Sequence, residues 1–324
     1  MLEVIERRPG GESHKPPVLF VHGAWHGAWC WDEHFLEFFA DKGHRALAVS
    51  LRGHGKSPAP KSMRLCSIAD FVADVAAVAD GLPERPVVVG HSLGGFVVQK
   101  YLESHDAAAA VLLASAPPSG ILGFLARRLK RHPWYTASGL AMTKSLRGVG
   151  ATPELARETF FSRSHSEADV ARYTEKLCEE YALKIAIDML WHDLPRPRLV
   201  TTPLLVLGAQ DDVCFTPREV RETAAAYHTE AEIFPKMSHD MMLDPGWHAV
   251  AERIHAWLET RVPSRTNTEP STGPRPVLAP VMIATLPSSR PLIAQSSCGH
   301  PCFEPRVDSF GDGVPSWVEH HVVA

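Results

Sequence analysis

The chain has 324 residues, 45% hydrophobic and 22% charged, with a formal net charge of −4. Such a balance describes a soluble globular protein with ample core, and it gives no electrostatic reason to expect nucleic acid as a partner. No run approaches the roughly 20 apolar residues of a membrane span, and the acidic residues of Met1–Arg8 do not make a secretory signal.

Leu2–Glu6 alternates like an edge strand and is closed by Pro9-Gly10-Gly11. Val18–Val21 is a continuous apolar run, the pattern of a strand buried on both faces of a parallel sheet. It leads into His22-Gly23-Ala24-Trp25-His26-Gly27-Ala28-Trp29. A helix is predicted from Trp31 to Asp41, with Trp31, Phe35, Phe38 and Phe39 on one face and Gly43 as its stop. Ala46–Val49 is the next strand, and it runs into Leu51-Arg52-Gly53-His54-Gly55-Lys56-Ser57. Ser67 and Asp70 form a capping box for a second helix carrying Phe71, Val72, Val75 and Val78.

The most informative stretch follows. Val87-Val88-Val89 runs straight into Gly90-His91-Ser92-Leu93-Gly94, and an amphipathic segment from Phe96 to Leu102 comes next. Strand, tight turn and helix around Gly-x-Ser-x-Gly are the context of a nucleophile elbow. Its glycines allow close backbone approach, and the helix N-terminus favours developing negative charge. Ala110–Ala114 is a further strand. Strands alternating with helices at this spacing predict an α/β fold with a doubly wound, mostly parallel sheet.

Residues 115–202 break the rhythm, with no convincing strand and several helical pieces. Thr152-Pro153 opens one helix, and Ser166 with Asp169 caps another. This stretch reads as a helical lid over the carboxyl edge of the sheet, where ligands of open α/β sheets bind. The core resumes with a strand at Pro203–Gly208. A helix capped by Thr216–Glu219, a last strand at Ala231–Phe234 and a helix holding Trp247, Val250, Ile254 and Leu258 complete it. Residues 1–114 and 203–262 thus make the core. Residues 263–324 carry 10 of the 27 prolines and no lysine, the composition of an irregular tail.

A serine hydroxyl needs a base and a group that orients that base. Carboxylates stand after Leu207, at Asp211 and Asp212, and a histidine stands after the last strand, at His239. Serine, acid and histidine follow in that order, each in a turn at the same edge of a parallel sheet. Cys30, Cys66, Cys178, Cys214, Cys298 and Cys302 are scattered and read as reduced thiols, so a cytoplasmic location is expected. Cys298-Gly299-His300-Pro301-Cys302 lacks a second ligand pair, and neither metal nor cofactor is expected.

Together, His22-Gly23, Arg52-Gly53-His54-Gly55-Lys56-Ser57, Gly90–Gly94, Gly208-Ala209-Gln210-Asp211 and Ser238-His239-Asp240 resemble the α/β-hydrolase superfamily over residues 2–261. The likeness is to its lysophospholipase, monoacylglycerol-lipase and esterase groups. The run from His22 to Trp31 is also similar to plant methylesterases and hydroxynitrile lyases. This resemblance implies Ser92 as nucleophile, His239 as base and Asp211, three residues after Gly208, as the acid; Asp212 is the alternative. It places the oxyanion hole at the backbone N–H groups of Leu93 and Ala24. Trp25 and His26 border that turn as candidate substrate contacts. His22 and His91 read as braces of backbone turns, His54 as a loop brace and Asp240 as a turn residue. The implied partner is a small ester with an apolar acyl group, hydrolysed through an acyl-enzyme. A lyase or perhydrolase on the same triad, or a ligand-binding receptor on this fold, are the alternatives.

Overall fold

The protein is described by a computed structural model covering residues 1–11, 13–60, 62–133, 152–180, 183–262 and 282–285. The chain divides into Met1–Leu286 and Pro287–Ala324, and the second unit lies wholly outside the described residues.

The first unit is built on one sheet. Its strands are β1 (Glu3–Arg7), β2 (Val18–Val21), β3 (Ala46–Val49), β4 (Val87–His91), β5 (Ala109–Leu113), β6 (Leu204–Ala209), β7 (Ala231–Phe234) and β8 (Met282–Thr285), in the spatial order β7-β6-β5-β4-β2-β3-β1-β8. Only the β1–β3 pairing is antiparallel. Because side chains alternate across a strand, each central strand feeds two cores. Val18 and Phe20 join Trp31, Phe35, Phe39 and Ile254 on one face. Leu19 and Val21 join Phe71, Phe96 and Val97 on the other. Phe20, Trp31, Phe35 and Phe39 pack ring against ring, with centroids 4.8–6.1 Å apart.

The predicted caps are formed. The Ser67–Asp70 box opens α3 (Ile68–Asp80), after α1 (Trp29–Asp32) and α2 (Phe35–Asp41). The elbow helix is α4 (Leu93–Tyr101). Between β5 and β6 lie α5 (Leu122–Arg131), α6 (Pro153–Phe160), α7 (Glu167–Lys176) and α8 (Leu183–Ile187), and this described stretch contains no strand. Thr152 and Ser166 cap α6 and α7. The Thr216–Glu219 box opens α9 (Pro217–Ala226), and α10 (Trp247–Arg261) closes the core. Among the described residues, no helix is long and apolar enough to cross a membrane.

Three expectations change. The helix expected over Trp31–Asp41 is two helices, because His34 leaves helical dihedrals (φ −146°, ψ −50°) and stacks on Trp247 at 4.7 Å. β1 is not an edge strand, since Met282–Thr285 pairs parallel along its outer side. Those four residues are extended within a stretch whose composition reads as mostly irregular; the remainder of 263–324, including Cys298–Cys302, lies outside the described residues, as do the aromatics Trp134 and Tyr135 of the expected lid.

Candidate active site

β4 delivers Ser92 into a sharp turn with φ 55° and ψ −119°, and α4 begins at the next residue. The turn closes only on bare backbone. A Cβ on Gly90 would fall 2.5 Å from the Gly94 carbonyl oxygen, and one on Gly94 would strike the carbonyls of Val21 and His22. The Ser92 N–H donates to the Leu113 carbonyl (3.1 Å), and its own carbonyl accepts from Phe96 (3.2 Å) and Ala116 (3.1 Å). The serine backbone is thereby fixed to β5 and to the helix behind it.

The hydroxyl meets His239, carried by the turn between β7 and α10. His239 Nε2 lies 2.9 Å from Ser92 Oγ, and the imidazole is buried. His91 Nε2 donates to the His239 carbonyl (3.0 Å), pinning the turn that holds it. Burial alone would lower the His239 pKa, but the charge and hydrogen bond of Asp212, with Asp240 adding to them, hold it above the usual histidine value.

The carboxylate facing His239 is Asp212, whose Oδ2 lies 2.9 Å from Nδ1. Its other oxygen accepts the N–H groups of Cys214 (2.7 Å) and Phe215 (3.1 Å), so its orientation is set by the backbone of its own turn. Asp211, expected as the acid, is exposed. The count from Gly208 lands one residue short of the carboxylate that faces His239, because the backbone pairing outlasts it. Gln210 N–H still donates to Phe234 and Asp211 N–H to Met237, and the chain turns inward only at Asp212.

The loop after β2 runs directly against the serine, since a Cβ on Gly23 would fall 2.9 Å from Ser92 Cβ. Ala24 is half-buried in that loop. Leu93 is the first residue of α4, so its N–H has no acceptor within the helix. His22 braces the loop as expected. Its Nδ1 donates to the Gly23 carbonyl (2.7 Å), its Nε2 accepts from Leu51 N–H (3.0 Å), and burial holds its pKa well below the usual histidine value. His91 is likewise kept neutral: burial and the neighbouring His239 lower it to about 3.

His26, a candidate substrate contact in sequence, is turned inward. It is 1% exposed, with Nδ1 on the Ala24 carbonyl (2.7 Å) and Nε2 on Asp240 Oδ2 (2.9 Å). It ties the Ala24 loop to the residue beside His239. Burial would raise the Asp240 carboxyl, but His26 and the other histidines around it bring it below the usual range. Trp25 is buried with its ring against Phe160 (5.8 Å). Phe160 and Phe215 stand 6.2 and 5.7 Å from the His239 ring and give the site an apolar wall.

Sequence reasoning missed Glu180. This buried carboxylate, from the stretch between β5 and β6, accepts the Trp25 N–H (3.2 Å) and pairs with His54 Nε2 (3.0 Å). Burial would lower the His54 pKa, but the Glu180 charge outweighs it and raises it. Trp25 sits at φ 65°, so Glu180 helps to hold a strained residue directly after Ala24. Glu180→Ala leaves both partners unpaired and is expected to cost about 3 kcal/mol in thermal or urea unfolding. Glu180→Gln keeps an acceptor for Trp25 and should cost clearly less; equal losses would show that the N–H contact contributes nothing.

Burial pushes the thiols of Cys66 and Cys178 up to about 12, and those of Cys30 and Cys214 rise as well. None of these four is poised as a thiolate nucleophile. Ser92 meets a histidine whose opposite ring nitrogen faces a carboxylate at hydrogen-bond distance, whereas the Ser162–His165 pair has its carboxylate, Asp244, 4.0 Å from the same ring nitrogen that meets the serine.

A family model described as "Alpha/beta hydrolase family" matches residues 18–253. Among curated proteins, the chain is 40% identical over 106 residues to a non-heme chloroperoxidase of Streptomyces lividans, covering 32% of this chain and 37% of that protein. It is 34% identical over 164 residues to "Probable esterase PIR7A" of Oryza sativa subsp. indica, covering 46% of this chain and 61% of that protein. The matches thus span less than two thirds of these relatives. Solved structures with this fold include a thermophilic esterase from Thermogutta terrifontis (TM-score 0.56, 20% identity, 81% of this chain and 94% of that one). Another is a monoacylglycerol lipase of Paleococcus ferrophilus (TM-score 0.59, 21% identity, 81% and 99%).

Proposed function

Because the chain belongs to the alpha/beta hydrolase family, we propose that it hydrolyses carboxylic esters through Ser92, His239 and Asp212. The observation that carries this reading is the pair of 2.9 Å contacts that link hydroxyl, imidazole and carboxylate in series. His239 Nε2 takes the hydroxyl proton as Ser92 Oγ attacks the ester carbonyl carbon. Asp212 keeps the Nδ1 proton in place and stabilises the imidazolium that forms. The N–H groups of Leu93 and Ala24 receive the oxyanion. His239 then protonates the departing alcohol, and water activated by the same imidazole releases the acid and restores Ser92.

Phe160 and Phe215 beside His239 support an apolar acyl group, with monoacylglycerol or lysophospholipid as candidate substrates. Phe160 ends α6, which supports reading residues 115–202 as a lid over the site. The test is a panel of p-nitrophenyl esters of increasing acyl length. Turnover is expected, and folded protein inactive on every ester would sink the proposal. Similarity to a chloroperoxidase supports a second reading, acyl transfer to hydrogen peroxide in place of water. Peracid formation when peroxide is added to the same panel distinguishes the two.

The pH profile follows from His239. As a base it must be neutral, and its pKa is raised above 6.5 by Asp212 despite burial. Thus kcat/KM is expected to fall as pH drops through that raised value, with the acid limb above pH 6.5. Residual activity in Asp212→Asn should carry this limb to lower pH. A limb that does not move would detach it from the His239–Asp212 pair.

A further inference from the structure

Away from the catalytic residues, His44, His255 and Glu259 bring one ligand atom each to within 4.8 Å of one another. His255 and Glu259 are one helical turn apart on α10, with Nδ1 and Oε1 3.9 Å apart. His44 follows α2 on the neighbouring loop, and its ring stands 6.0 Å from that of His255 at 86°. The histidine atoms facing this point, His44 Nε2 and His255 Nδ1, are buried and have no hydrogen-bond partner.

The tautomer of His44 is set from behind. Its Nδ1 lies 2.9 Å from the Pro16 carbonyl, which can only accept, so the proton is on Nδ1 and the Nε2 lone pair points at the cluster. An imidazole whose other nitrogen donates to a backbone carbonyl is the usual form of a metal-ligating histidine. Two imidazole nitrogens and a carboxylate are a donor set for a borderline divalent ion. We propose that His44, His255 and Glu259 bind such a transition-metal ion, of which Zn2+ is the first probe.

The electrostatics are compatible with metal entry. Burial lowers the pKa of both histidines, with Lys15 adding to the effect, so both are neutral ligands at pH 7. Lys42 also lowers His255, while Glu252 and Glu259 act in the opposite sense. Lys15 Nζ contacts Glu259 Oε1 at 2.8 Å and competes with an ion for that carboxylate. Glu259 is exposed, and His255 is only partly buried, so an ion has access. A tetrahedral site with bonds near 2.0–2.1 Å needs ligand atoms roughly 3.3 Å apart. The His255–Glu259 pair, 3.9 Å apart, is within about 1 Å of that spacing, and the Glu259 side chain is exposed and can turn. The bound ion would clamp the His44 loop to α10, a stabilising role separate from ester hydrolysis.

The test is calorimetric titration of the full, chelator-treated chain with Zn2+, beside Co2+ titration followed by visible absorption. One ion is expected at this site, and saturating Zn2+ should raise Tm by about 3–5 °C. His255→Ala and Glu259→Gln, both on the accessible side of α10, should each weaken binding at least about 10-fold. They should leave metal-free ester turnover unchanged. Lys15→Met should tighten binding by removing the competing ammonium. No binding to wild type, or equal affinity in wild type and His255→Ala, would overturn the site. Unchanged affinity in Lys15→Met would overturn the placement of Glu259 as a ligand.

Discussion

Ser92→Ala is expected to lower ester turnover by roughly 10⁴–10⁶-fold while leaving the fold intact. The substitution removes one oxygen and its contact with His239 Nε2. The backbone hydrogen bonds that hold residue 92, from its N–H to Leu113 and from Phe96 and Ala116 to its carbonyl, do not involve the side chain. Alanine meets the same φ of 55° with a similar Cβ, so the turn gains no new strain. Thermal unfolding should therefore shift by no more than about 1 kcal/mol. The measurement is kcat on the best ester of the panel, with melting recorded on the same preparations. Turnover above about one percent of wild type, in protein of unchanged Tm, would remove Ser92 from the chemistry.

Asp212→Asn should lower kcat by about 10⁴-fold, whereas Asp211→Asn should change it less than about twofold. Asparagine preserves the shape of the side chain and can still accept from Cys214 and Phe215 through its carbonyl oxygen. Its NH2 then faces His239 Nδ1 and can only donate. This drives the imidazole proton to Nε2, where it blocks acceptance of the serine proton. The loss is one of tautomer rather than of fold, so KM should move far less than kcat. Asp211 is exposed, and its backbone N–H donates to Met237, a bond the substitution leaves alone. A larger loss in Asp211→Asn than in Asp212→Asn would reverse the assignment.

These two neighbours show what can be read from a linear chain. The elbow was legible because all its determinants are local: a β-branched run, glycines on both sides of Ser92 and an amphipathic segment after it. The Ser67, Thr152, Ser166 and Thr216 caps were legible for the same reason, since each bonds three residues ahead. Which carboxylate faces His239 is not local in this way, because where a ladder ends depends on the strand beside it. Here Phe234 at the end of β7 and Met237 just beyond it accept the N–H groups of Gln210 and Asp211.

Glu180 was illegible because its partners, Trp25 and His54, come from loops far back in the chain. In sequence His26 is a candidate substrate contact because it adjoins Ala24. It turned inward because Asp240, brought beside it by the fold, offers a buried charge. The parallel pairing of Met282–Thr285 with β1 joins opposite ends of the first unit, and no local pattern encodes it.

The dihedral angles of Ser92 set two selective pressures against each other. A side chain at φ 55° and ψ −119° sits where only glycine is at ease, a disadvantage of about 1–3 kcal/mol. Glycine would relax the turn, and it would also delete the hydroxyl. Variants ranked by heat resistance alone would favour that exchange, because a stability assay is blind to the proposed nucleophile. On the proposed role the hydroxyl is kept against the preference of the backbone, so a screen for sturdier forms must read turnover and melting together.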